Sequence, residues 1–131
     1  MSYLVDTDWV VEYLKGRQPA TQILTSLRRE DLAISLITYG EVYEGIYRGR
    51  DIEEHLKGFL LVLDRVRVLP LDLSIMRRFA QIRGELRTQG QLIGDLDTLI
   101  VATALEYDLT LLTHNTRHFA RIAGLKLYRP N

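Results

Sequence analysis

The apolar positions along the chain fall into two kinds of run. YLV from Tyr3, LAISLI from Leu32, RVRVLPL from Arg65 and LTLLT from Leu109 are short, mostly apolar and bounded by charged or turn-forming residues. Runs of that length without a polar face suit strands covered on both sides. Between them the spacing turns helical. DWVVEYLKG, from Asp8, closes at Gly16 with Pro19 beyond, and PATQILTSLRRE suits a helix starting near Pro19. Val42, Tyr43, Ile46 and Tyr47 mark a helix that starts at Thr38 and fades at RGRD; Ile52, Leu56, Phe59, Leu60 and Leu63 mark the next. Ile75, Phe79, Ile82 and Leu86 give a long amphipathic helix, and GDLDTLIVATALEYD, from Gly94, is apolar almost all round. NTRHFA reads as a turn or short helical piece and LKLY as a last short strand.

Strands alternating with helices predict a parallel sheet with both faces covered. The expected fold class is α/β, a three-layer α/β/α sandwich around a central, mainly parallel sheet, with residues 1–131 forming a single domain. No repeat, linker or low-complexity segment interrupts it. Ligands of such sheets bind beyond the carboxyl ends of the strands. Asp6 ends the first strand and Thr113 ends LTLLT, so both are expected to open onto that edge.

Composition narrows the chemistry. The 131 residues contain no cysteine, which excludes thiol catalysis and zinc-thiolate sites and leaves a metal to oxygen donors. Seventeen basic and 17 acidic residues cancel, so bulk attraction to nucleic acid is absent and any basic patch must be local. No apolar stretch is long enough for a bilayer and the start is unlike a signal peptide, which makes the cytoplasm the expected location.

The acids can be weighed one at a time. Asp6 leaves the sheet at its functional edge, and Thr7 and Asp8 stand beside it as spare capping residues, so it is free for a site. Asp8, directly before WVVEYL, has the position of an N-cap. Glu41 completes a Thr38-x-x-Glu41 capping box, yet a helix starting at the end of LAISLI would put its first turn at the same sheet edge as Asp6. Asp95 and Asp97 lie about 200° apart around a helix axis and cannot both face one site. Gly94 is a natural break, so Asp95 is expected to cap the helix while Asp97 faces inward, where the helix N-terminus favours a negative charge. Asn115 suits a turn or a cap. His55, His114 and His118 read as peripheral, which argues against a histidine metal site.

Asp6, Glu41 and Asp97 are thereby expected to converge at one sheet edge. Three carboxylates repel one another and resist desolvation, whereas a hard divalent cation turns them into a magnesium or manganese site able to activate water against a phosphodiester. Asn115, Asp8, Thr113 and Asp95 are candidates for the surrounding ring of groups that touch metal-held water or substrate.

YLVDTDWVVEYLKG, ISLITYGEVYEGI, VLPLD and IGDLDTLIVATALEYDLTLLTHNTRHFARIAGL resemble the successive motifs of PIN-domain ribonucleases, specifically VapC-type toxins of toxin–antitoxin pairs, from Leu4 to about Leu127. The resemblance implies a PIN-like fold and a Mg2+-dependent endoribonuclease, with Mn2+ as a substitute. It implies that Asp6, Glu41 and Asp97 are the catalytic and metal-holding acids, and that Asn115 stands where many relatives carry a fourth acid. It also implies an RNA substrate, tRNA or rRNA, a VapB-type antitoxin partner that meets the helices between Tyr39 and Leu63, and a homodimer. Two other readings remain open. LVDTD also resembles the nucleophile motif of haloacid-dehalogenase-like phosphatases, with Asp6 as nucleophile and Lys57 as the required lysine, and a PIN-like domain could bind without cutting.

Overall fold

The computed structural model describes residues 1–129. β1 (Tyr3–Val5) leads into α1 (Thr7–Leu14), and α2 (Ala20–Ser26) with a 3-10 turn over Arg29–Asp31 returns the chain to β2 (Leu32–Ser35). Two helices, α3 (Leu36–Arg48) and α4 (Ile52–Leu63), precede β3 (Arg67–Leu69). Two more, α5 (Leu73–Thr88) and α6 (Asp95–Glu106), precede β4 (Thr110–Leu112), and the four-residue α7 (Thr116–Phe119) precedes β5 (Lys126–Leu127). All five strands pair in parallel, in the order β3-β2-β1-β4-β5.

Neighbouring residues of a strand point to opposite faces, and the core divides by that rule. Leu4, Ala33 and Leu111 pack on one side with Ile75, Ile82 and Leu86 of α5, Ile100 and Val101 of α6, and Phe119. Val5, Leu32, Ile34 and Leu112 pack on the other with Trp9 and Val10 of α1, Leu24 of α2, Val42 and Ile46 of α3, and Phe59 of α4. These are the outer layers of an α/β/α sandwich. Cover on both faces is why β1, β2 and β4 carry no polar alternation, while β3 at the sheet edge leaves Arg67 exposed. The all-round apolar pattern of α6 has the same cause: every residue from Ile100 to Ala104 is buried.

One boundary falls earlier than the apolar pattern suggests. LAISLI does not continue as strand, because Ser35 leaves β2 and caps α3, its hydroxyl accepting the Thr38 N–H at 3.0 Å. A serine at a strand end offers the orphan N–H groups of a following helix a partner, and that local bond outweighs the strand-like look of Leu36 and Ile37.

β1 connects onward to β2 on one side while β4 lies on its other side, so the carboxyl ends of β1 and β4 flank the point where the strand order reverses. The Asp6 N–H extends the pairing there, donating to the Leu112 carbonyl at 2.9 Å.

Candidate active site

Asp6, the first residue beyond β1, is only 5% exposed. One carboxylate oxygen accepts the Thr7 N–H at 2.7 Å and the other the Thr113 hydroxyl at 2.6 Å, which joins the exits of β1 and β4 through one side chain. Asp8 makes a parallel stitch, accepting the Trp9 N–H at 2.7 Å and the His114 N–H at 2.9 Å. The Thr7 hydroxyl donates to Glu41 at 2.6 Å and lies 3.0 Å from the hydroxyl of buried Thr38. A polar chain Ser35–Thr38–Thr7–Glu41 therefore fixes α1 against the start of α3. Asp97 enters from the first turn of α6, half-buried.

Electrostatics ties three of these acids together. Burial, helped by the like charge of Asp8, pushes the Asp6 carboxyl up to about 7 against the pull of its Thr113 and Thr7 hydrogen bonds; Asp97 adds a smaller repulsion. Burial also raises Asp8, and burial together with the Asp8 charge raises Asp97, which the His118 imidazole partly relieves. The ion pairs among the described residues are Arg28–Glu30, Arg78–Glu106, Arg83–Asp95, His114–Glu12 and Lys126–Asp108. None reaches Asp6, Asp8, Glu41 or Asp97. Nor, among the described residues, do three acidic or histidine side chains already stand close enough to share an ion.

A carboxyl raised on folding binds its proton more tightly in the native than in the unfolded state, so its contribution to stability is present at low pH and is lost as pH rises from about 4 to about 7. For metal-free protein the loss through Asp6 is on the order of 4 kcal/mol when fully titrated. Urea unfolding in EDTA is expected to show stability falling between about pH 4 and about pH 7 in wild type, with the fall largely removed in Asp6→Asn. Identical slopes in the two proteins would contradict the burial of this charge.

Several sequence expectations need correction. Asp6, not Asp8, is the N-cap of α1, and it still reaches the β4 exit because one carboxylate oxygen caps Thr7 while the other takes the Thr113 hydroxyl. Gly94, not Asp95, caps α6; Asp95 is the first helical residue, exposed and paired with Arg83 of α5 rather than engaged with the other acids. Glu41 closes no capping box, since the helix starts at Leu36 and places it one and a half turns in. It is bound by Thr7 instead. Asn115 caps α7 by backbone position, with its carbonyl oxygen 2.7 Å from His118 Nδ1. Sequence reasoning overlooked Ser35, gave Thr7 only a capping role, and set His118 at the periphery without its link to Asn115 and Asp97. A serine closing an apolar run was the available signal for Ser35, and the three-residue step from Asn115 to His118 was the signal for the last.

Comparison with known proteins follows the same outline. The PIN domain family model matches residues 3–125. The chain belongs to the PIN domain family. Ribonuclease VapC1 of Haemophilus influenzae is 30% identical to this PIN domain over 128 residues, 96% of both chains. The tRNA(fMet)-specific endonuclease VapC of Shigella flexneri is 28% identical over 126 residues, again 96% of both. Among solved structures, that of VapBC2 from Rickettsia felis bound to a DNA fragment from their promoter superposes with a TM-score of 0.91 at 26% identity, covering 100% of both chains. This PIN domain is a VapC-type ribonuclease. The match over almost the whole chain decides against the phosphatase reading, whose lysine, Lys57, is exposed on α4.

Proposed function

We propose that this PIN domain is a magnesium-dependent endoribonuclease, with manganese as a substitute, acting in the cytoplasm as the toxin of a toxin–antitoxin pair. The observation that carries the metal is the set of buried and half-buried carboxylates with no basic partner among the described residues: oxygen donors, like charges and an Asp6 carboxyl raised to about 7 fit a hard divalent cation. Asp6, Asp97 and Glu41 would hold it, and it would supply polarisation of the scissile phosphate and acidification of water. The remaining side chains serve that set. Thr113 and the Thr7 N–H aim Asp6, the Thr7 hydroxyl aims Glu41, and the His114 N–H holds Asp8 beside them. Asp97 and Asn115 are open enough to meet a substrate.

tRNA is the substrate class we favour, on the name of the Shigella flexneri relative. A VapB-type antitoxin and a second copy of the chain are the proposed partners. Tyr47 of α3 with Leu60 and Leu61 of α4, 57–72% exposed, offer the apolar surface an antitoxin needs. No helix among the described residues is long and apolar enough to cross a membrane.

The deciding experiment incubates purified protein with total tRNA and with a generic single-stranded RNA, in magnesium, in EDTA and as Asp97→Asn. Cutting in magnesium alone, lost in both controls, is the expected result. Well-folded protein that neither gains thermal stability from magnesium nor cuts either RNA would reduce the chain to a non-catalytic binding module.

A further inference from the structure

We propose that Arg117 and His118 of α7, with Arg121 in the turn after it, form the surface that grips the RNA backbone beside the carboxylates. The inference rests on the ribonuclease reading and extends it to a named binding face. Three observations carry it. First, a cluster of carboxylates repels a polyanion, and a chain with 17 charges of each sign has no overall attraction to offer, so a local cationic surface must bring the phosphates in. Second, α7 is the helix that starts at the carboxyl end of β4, with only His114 and Asn115 between it and Thr113, and Asn115 at its cap binds His118 at 2.7 Å. The His118 charge acts on Asp97, which places this side chain within electrostatic reach of the site. Third, Arg117 and Arg121 are exposed and join no ion pair among the described residues; Arg17, Arg48, Arg50 and Arg67 share that freedom, but none of these lies on the segment that follows β4. Phe119 and Ile122 bury the other side of the same segment and hold it to the core.

The surface suits phosphates better than a protein partner. No large apolar side chain between Asp108 and Arg129 is exposed, so the strip lacks the anchors that carry protein interfaces; exposed apolar side chains lie on other segments, Tyr47, Leu60, Leu61, Leu73 and Leu96 among them. Arginine and imidazole donors without an apolar neighbour are the usual means of holding a nucleic-acid backbone without reading its bases.

The test measures binding of a labelled single-stranded RNA to the full chain in EDTA, by anisotropy from about 50 to 200 mM NaCl. Arg117→Gln/Arg121→Gln is expected to bind several-fold more weakly and to reduce the slope of log affinity against log salt by about 1.4, two phosphate contacts at about 0.7 each. Arg17→Gln/Arg67→Gln removes the same charge at the opposite sheet edge, beyond the end of α1 and at the start of β3, and is expected to keep the wild-type slope. Thermal melts of both double variants check that they fold. Equal slopes for the two double variants overturn the inference, and so does loss of polyglutamate binding in Arg117→Gln/Arg121→Gln with its RNA slope unchanged, which would assign the strip to an acidic protein segment. Metal-dependent cutting by wild type is scored in parallel. Cutting with an unchanged slope defeats the binding face alone, while a wild type that neither binds nor cuts defeats the ribonuclease reading beneath it.

Discussion

Asp6→Asn is expected to abolish RNA cleavage and, at the same time, to stabilise the metal-free protein at pH 8. The two effects have one cause. The Asp6 carboxylate is buried at the exit of β1, and burial with the neighbouring Asp8 charge raises it to about 7, so above that pH the fold holds an ionised group it would hold more easily neutral. An amide of the same shape still accepts the Thr7 N–H and can donate to the Thr113 hydroxyl, the two bonds now made at 2.7 and 2.6 Å. Packing is therefore retained while the charge is removed. The gain should be on the order of 2 kcal/mol in EDTA, below the full titration energy because an amide fits the two bonds less well than a carboxylate. Activity should fall at least about a hundredfold, the scale on which a single electrostatic group in an active site is felt. Added magnesium should stabilise wild type and not the variant. Paired melts and cleavage assays check this. A variant less stable than wild type in EDTA would mean that Asp6 is a structural cap whose charge the fold needs, and retained cleavage would remove it from the site.

Phe119→Ala is the largest stability effect expected. Phe119 is fully buried in the cluster formed by α5, α6 and the sheet, and it is the anchor of a helix of only four residues. Such a helix has too few internal bonds to persist unaided, so its place depends on that ring. Truncation removes the transfer energy of the side chain and leaves a cavity, together about 3–5 kcal/mol and a melting temperature lower by roughly 10 °C or more. RNA affinity should fall beyond what the stability loss explains, because Asn115, Arg117 and His118 lose their support. A Phe119→Leu variant separates the two effects: it refills most of the cavity and should recover both stability and binding. A loss below about 1 kcal/mol for the alanine variant would show that the segment is held by something other than its core contact.

How far the sequence was legible depended on whether one physical term dominated locally. The strands were readable because a parallel sheet buries both faces, and the long helices because α5 shows a single apolar stripe while α6 is buried all round. Asp6 could be placed at the functional edge from its position after YLV alone. The helix starts were less legible. Three of them offer several residues able to cap, Asp6–Thr7–Asp8, Ser35 with Thr38, and Gly94 with Asp95, and which residue caps differs by tenths of a kcal/mol to about 1 kcal/mol locally. Tertiary partners settle such choices. Asp95 turns outward because Arg83 of α5 meets it, Asp8 is drawn across by the His114 N–H, and Glu41 is taken by Thr7 from another helix.

The order of apolar and polar residues thus determined the layers, the parallel sheet and the edge at which acids collect, since these follow from burial, which is additive along a segment. Only the tertiary structure decided how the acids are distributed: Asp6, Asp8 and Asp97 within one electrostatic field, Glu41 on the threonine beside it, and Asp95 outside, paired with Arg83. Hydrogen bonds and charges act between particular atoms over a few ångströms. The residues they join here are 31, 34, 106 and 107 positions apart in the chain, beyond the reach of any local pattern.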